Sequence, residues 1–177
     1  MKKKLVAPLL SIGLVFSFFA GSTAHAYVLF SKDDCPKVPY PKDIFYWVDG
    51  AFQNYSGKWT EVIESVNKWD ALPEIEFTTR ASLPGGADIK IEYGDYYSGD
   101  VYGRYFLGTK GHIMIYKKWF ELNEIQERET IVHEVGHALG LAHTQKANDS
   151  ISVMREFGFN NKDYPLSDDK AGIAARY

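Results

Sequence analysis

A single cysteine among 177 residues rules out an internal disulfide framework, and it cannot supply a multi-thiolate zinc or iron–sulfur site. Positive charge is not in excess: 20 Lys and Arg stand against 23 Asp and Glu, a formal net charge of −3. That balance leaves no basic footprint for nucleic acid. Histidine is scarce too, at five residues. Repeats, low-complexity tracts and inter-domain linkers are absent from the sequence, which excludes collagen-like, solenoid and coiled-coil classes. The one long uncharged apolar run, Leu5–Gly21, is short for a bilayer span. What is present is a globular composition, 45% apolar and 24% charged, with twelve Tyr, eleven Phe and four Trp to fill one core.

The start of the chain reads as an address. Three lysines follow Met1, Leu5–Gly21 carries no charge, and Ala24-His25-Ala26 ends the segment in small-x-small form. Together they make residues 1–26 a secretory signal peptide and the product a secreted, extracellular chain with no membrane attachment after cleavage. Tyr27–Asp43, with Pro36, Pro39 and Pro41, reads as an extended leader or short pro-segment without regular structure. Residues 44–177 are expected to form one folded domain, of a size that buries a core without disulfides.

Along that domain, Ile44–Val48 is a β-branched and aromatic run closed by Asp49-Gly50, a first strand. Trp59, Val62, Ile63, Val66 and Trp69 follow helical spacing, with Ser56 as N-cap and Pro73 as stop. Ile75–Thr79 and Ala87–Tyr93 alternate as half-buried strands around Pro84-Gly85-Gly86. Short strands are expected at Arg104–Leu107 and His112–Tyr116. A long helix follows over about Leu122 to Leu141, with Ile131, Val132, Val135, Ala138 and Leu139 on its apolar face. Ser167–Arg176 closes the chain as a helix capped by Ser167. The order β, α, β, β, β, β, α, α predicts an α+β fold: a single twisted mixed sheet against the long helix and two further helices.

Within the long helix stands His133-Glu134-Val135-Gly136-His137-Ala138-Leu139-Gly140-Leu141-Ala142-His143. Residues four apart on a helix point from one face, so His133 and His137 can share one Zn²⁺, with Glu134 beside them to deprotonate a zinc-activated water. Gly140 fits a left-handed helix terminus that turns the chain sharply. That turn brings His143 back as a third ligand. Three protein ligands leave the open coordination position that a catalytic zinc needs.

This extended motif resembles the metzincins, zinc endopeptidases with three histidines and a downstream Met-turn. Ser152-Val153-Met154 fits that turn, which implies Met154 beneath the metal site. Thr144 after the third histidine resembles the matrixins, as do Gly86-Ala87-Asp88-Ile89-Lys90-Ile91 and Leu166-Ser167-Asp168-Asp169-Lys170-Ala171-Gly172-Ile173. The resemblance implies a metzincin/zincin-like fold and a zinc-dependent endopeptidase with one catalytic Zn²⁺. It implies His133, His137 and His143 as ligands, Glu134 as general base, and Met154 and Gly140 as structural support. It also implies an edge strand near Arg104–Leu107 that pairs with an extended protein or peptide substrate, and a specificity wall at residues 155–165. The enzyme is expected to act as a monomer. The rival reading from another class is a secreted zinc-binding or adhesion module without turnover, against which Glu134 argues.

The sequence departs from vertebrate matrixins in several places. Beyond the three motif histidines and His25 only His112 remains, too few for their second, structural zinc. Cys35 invites comparison with the cysteine switch, yet its Asp33-Asp34-Cys35-Pro36 setting lacks the Arg and Gly that flank the matrixin switch. Cys35, Asp33 and Asp34 are therefore alternative candidates for a latency switch. Asp88, Asp95 and Asp100, near glycines, are candidate Ca²⁺ ligands, although no loop has EF-hand spacing.

Overall fold

A computed structural model describes residues 27–177; the expected signal peptide lies outside the described residues. Five strands form one sheet: β1 (Ile44–Val48), β2 (Phe77–Arg80), β3 (Ile89–Gly94), β4 (Gly103–Tyr105) and β5 (His112–Tyr116). Their spatial order is β2-β1-β3-β5-β4. All neighbours are parallel except β4, which runs antiparallel to β5 at the edge. Three helices accompany the sheet: α1 (Lys58–Val66), α2 (Glu124–Ala138) and α3 (Ser167–Arg176). The mixed sheet, the helix count and the order of elements are those expected from the sequence.

The core follows from side-chain alternation and from where the tryptophans point. Ile44, Ile89, Ile91, Ile113 and Ile115 are fully buried along β1, β3 and β5. They pack with Val62 and Val66 of α1 and with Ile131, Val132 and Val135 of α2. Trp69 and Trp119, both without exposed surface, donate their indole N–H groups to the α2 carbonyls of Val132 (3.2 Å) and Glu127 (2.8 Å). A buried indole needs such a partner, and here the two bonds also fix α2 against the rest of the core.

Element boundaries move where caps differ from those expected. Gly57, left-handed at φ 77°, precedes α1 in place of Ser56. The apolar series continues to Trp69 only through a 3₁₀ turn, Asn67–Ala71. α2 is shorter than expected and starts after Asn123, whose Oδ1 accepts from Gln126 N. α3 begins at Ser167 itself, after Leu166, whose N–H donates to Asp169. The N-cap is therefore Leu166 rather than Ser167, and the Asp169 carboxylate three residues on accepts from its N–H. Nor is α2 apolar on one face only. Glu127, Glu129, Thr130, Glu134 and His137 are buried as well, so neighbours cover more than one side of the helix; the three carboxylates find partners on neighbouring elements, and the Thr130 hydroxyl donates back to Gln126 O within α2.

The segment before β1 packs against the domain. Phe30 N–H donates to Gly140 O (3.0 Å) and Ala142 N–H to Val28 O (2.8 Å), so Leu29 faces Leu141 in an antiparallel bridge. Cys35 is 1% exposed within the core.

Candidate metal centre

The end of α2 builds the site. Gly140 adopts φ 103°, a conformation nearly closed to other residues. Gly140 N–H reaches His137 O (2.9 Å) and Leu141 N–H reaches Gly136 O (2.9 Å), the paired bonds of a Schellman C-cap. The chain thereby doubles back and delivers His143 to the two imidazoles of α2. The His137 and His143 Nε2 atoms stand 3.2 Å apart, and the ligand atoms of His133, His137 and His143 all lie within 4.8 Å of one another. Two nitrogens on a tetrahedral zinc at ordinary bond lengths are separated by ~3.3 Å.

The imidazoles are pre-oriented for such an ion. His133 Nδ1 is bonded to Val153 O (2.7 Å) and His137 Nδ1 to Leu141 O (2.8 Å). A carbonyl only accepts, so each Nδ1 carries the hydrogen and each Nε2 presents a lone pair to the cluster. Burial holds all three rings below the usual histidine range, and for His137 and His143 the neighbouring imidazoles push further the same way. Neutral rings with converging lone pairs fit a divalent zinc ion.

Glu134 stands next to this cluster. Its Oε2 accepts from Tyr105 N–H of β4 at 2.7 Å, and burial pushes its carboxyl up to about 7 although that N–H and the Arg104 guanidinium act to lower it. Phe106 N–H donates to His112 O and Tyr116 N–H to Tyr102 O, so Tyr102 and Phe106 turn their peptide groups towards β5. By alternation Gly103 and Tyr105 turn theirs outward. With Tyr105 N–H held by Glu134, the outward edge keeps the Gly103 N–H and carbonyl and the Tyr105 carbonyl.

Two cavities meet at His133 and Glu134. One, of about 450 Å³, is lined by Tyr102, Glu129, Thr130, Val153, Arg155 and Phe157, among others. Residues 155–159, part of the 155–165 segment, line it. The other, of about 800 Å³, is lined by Phe30, Arg104, Tyr105, Leu107, His137 and His143 together with the shared residues.

The matrixin family model matches residues 46–177. The chain belongs to the matrixin family. It is accordingly a zinc metalloendopeptidase. A solved structure of myroilysin shares the fold, with a TM-score of 0.56 at 17% identity, covering 80% of this chain and 95% of that one. No curated protein sequence matches the chain.

The turn at Ser152–Met154 of this matrixin lies against the middle of the motif. A Cβ on Gly136 would sit 2.4 Å from Met154 Sδ and 3.0 Å from Trp69 Cζ2, so the glycine between the two helical histidines gives Met154 its room. Asp169, 1% exposed, accepts from Ser152 Oγ, from Val153 N–H (2.9 Å) and from Leu166 N–H (2.7 Å). It thereby fixes the turn whose Val153 carbonyl orients His133. Thr144 Oγ1 donates to Asp168 (2.6 Å).

Other residues singled out in the sequence lie elsewhere. Cys35 Sγ is within 3.5 Å of His137 O and 3.6 Å of Ala138 O, against the back of the helix end and outside the imidazole cluster. Asp33 and Asp34 are exposed, and Asp34 accepts from Ser31 Oγ at 2.7 Å. Asp88 caps Phe45 N–H, Asp95 pairs with Lys117, and Asp100 pairs with Lys118. Among the described residues the three histidines are the one group of three or more acidic, thiol or imidazole side chains close enough to share a metal. His112 bonds Glu92 (2.8 Å) and stacks on Phe106.

Sequence reasoning missed Gly103, Gly136 and Asp169. Gly136 lies inside the quoted motif, and Asp169 inside a matrixin-like segment. Gly103 has no sequence signal, because its role depends on how closely β4 approaches α2.

Proposed function

We propose that the chain is a secreted endopeptidase that uses Glu134 as general base, with His133, His137 and His143 holding the zinc and Met154 and Gly140 supporting them. The observation that carries this reading is the placement of the Glu134 carboxylate beside three converging imidazoles, in a cleft bounded by an unpaired strand edge. When bound, zinc supplies Lewis acidity to the attacking water and to the scissile carbonyl. The protein supplies position. An extended peptide adds to the outward edge of β4 by main-chain hydrogen bonds at Gly103 and the Tyr105 carbonyl. Tyr105 N–H holds Glu134 Oε2, leaving Oε1 to take the proton of the attacking water and pass it to the leaving amine. The 450 Å³ cavity receives one substrate side chain next to the scissile bond.

Secretion is supported by the composition of residues 1–26, and among the described residues no helix is long and apolar enough to cross a membrane. The test compares the secreted chain with its Glu134→Gln variant on a complex peptide library, mapping new termini by mass spectrometry. Zinc content should be equal in the two proteins while turnover falls about 10²–10⁴-fold. A Glu134→Gln protein that cuts at the parental rate removes the general-base role. A parent that binds zinc and cuts nothing supports the binding module instead.

A further inference from the structure

The segment expected to be a leader is tied to both rims of the cleft. On one side Val28 and Phe30 bond the backbone of residues 140–142, the turn that delivers His143. On the other, Gly108 N–H, just beyond β4, donates to Asp34 O at 2.7 Å. Between these ties Arg176, 5% exposed, donates to Phe30 O (3.3 Å) and to Cys35 O. Its guanidinium lies where a side chain on Gly140 would be, since a Cβ there would fall 1.9 Å from Nε. Cys35 Sγ rests on the last α2 carbonyls, and Val38 N–H reaches Tyr177 Oη (3.4 Å), which in turn donates to Leu139 O (3.0 Å).

This clamp holds the Phe30 ring in the cleft. Its centroid is 5.4 Å from the His137 ring and 6.3 Å from the Tyr105 ring, and it lines the 800 Å³ cavity together with Leu107. Among the described residues the arm pairs with residues 140–142 and leaves the outward groups of Gly103 without a bond from it, so the strand edge stays open to a substrate.

We propose that residues 27–38 are a permanent wall of the working cleft and that Phe30 is a specificity-determining residue, forming an apolar subsite for an aromatic or branched aliphatic substrate side chain. The subsite serves a substrate residue on the opposite side of the scissile bond from the one that enters the 450 Å³ cavity. This proposal rests on the endopeptidase reading. The buried partners of the arm distinguish it from a removable leader, because detaching it would leave the Cys35 thiol site, the Arg176 guanidinium and the Gly140 carbonyl without their partners.

The test profiles the secreted chain, Phe30→Ala and Phe30→Leu on one peptide library, with zinc content and thermal unfolding measured on each protein. Removing one side of an apolar pocket is worth about 10-fold in discrimination. Phe30→Ala should therefore lose about tenfold of the parental enrichment at a single substrate position on that side, and Phe30→Leu should retain most of it. Preference at the position entering the 450 Å³ cavity should stay as in the parent. Variants that cut with the parental profile at every position overturn the proposal and leave the peptidase reading intact. A parent that cuts nothing overturns both. The arm is tested separately on the secreted protein by sequencing its N-terminus once it is active. Active enzyme beginning between residues 27 and 30 agrees with a permanent wall, whereas active enzyme beginning beyond Val38 refutes it.

Discussion

Replacing Gly136 with alanine sets two effects of opposite sign against each other. In an exposed helix interior the change gains about 1 kcal/mol from backbone entropy and propensity. Here the added methyl would lie 2.4 Å from Met154 Sδ and 3.0 Å from Trp69 Cζ2. Methionine is adaptable, but this one is 2% exposed and Trp69 is fully buried. The Met154 backbone is pinned as well, by Thr144 N–H on its carbonyl (2.7 Å) and by its own N–H on Ser152 Oγ (2.9 Å). The sulfur must retreat by about an ångström into filled space, and overpacking of that kind costs about 1–3 kcal/mol. The net is a loss centred near 1 kcal/mol, or about 2–4 °C in Tm for a domain of this size. Calorimetry of the zinc-loaded protein measures it. The companion variant Met154→Ala removes the nearer obstacle and opens space into which Trp69 can shift by a few tenths of an ångström, so in that background Gly136→Ala should raise Tm by a similar amount, a change of sign that a double-mutant cycle reads directly. A stabilising Gly136→Ala in the parent would refute the argument that packing outweighs propensity at this position.

Three further outcomes follow from the same geometry. Gly103→Ala would bring a methyl 2.9 Å from Glu134 Cγ and 3.2 Å from Thr130 Cγ2; kcat/KM should fall about 10²-fold, as expected for a catalytic group displaced by about an ångström, with zinc stoichiometry unchanged by atomic absorption. Asp169→Ala strands the Val153 and Leu166 N–H groups and the Ser152 hydroxyl; stability should drop by at least about 2 kcal/mol in urea unfolding, and zinc affinity by about 10–100-fold as the carbonyl holding His133 loosens. Removing zinc with a chelator should lower Tm by about 5–11 °C from a state with metal at 100 times its dissociation constant; a Tm indifferent to the chelator would show that the imidazoles do not bind metal in the folded protein.

Much of this architecture is legible in the sequence because it depends on local chemistry. β1 and β5 keep the expected limits since Asp49-Gly50 and the glycines before His112 bound them, and the zinc-motif turn follows from Gly140. Boundaries shift where one local residue takes the place of another: Leu166, its N–H held by Asp169, precedes α3 as N-cap where the sequence predicts Ser167, and Gly57 rather than Ser56 precedes α1. The apolar-face reading of α2 fails because helical periodicity detects one buried side, whereas Lys58, Tyr105 and the Asn160 and Lys162 amides bury the other by pairing with Glu127, Glu134 and Glu129. The three prolines imply an extended arm without regular structure, and no helix or strand precedes Ile44 among the described residues. Proline excludes helix and central strand but not docking, and the docking residues, Gly108 and those of the 137–142 turn and α3, lie far along the chain.

That separation has a kinetic consequence. Arg176 bonds Phe30 and Cys35 across 146 and 141 residues of chain, the longest loops that any of the described contacts at the cleft must close. Closing such loops is entropically slow and is repaid only once the intervening structure is in place. During synthesis the strands, α2 and all three histidines emerge before the residue that anchors the arm. The Arg176 part of the clamp is therefore expected to close late in folding, and a chain interrupted short of Arg176 would carry the metal ligands and the backbone ties at residues 140–142 without the guanidinium that binds the Phe30 and Cys35 carbonyls.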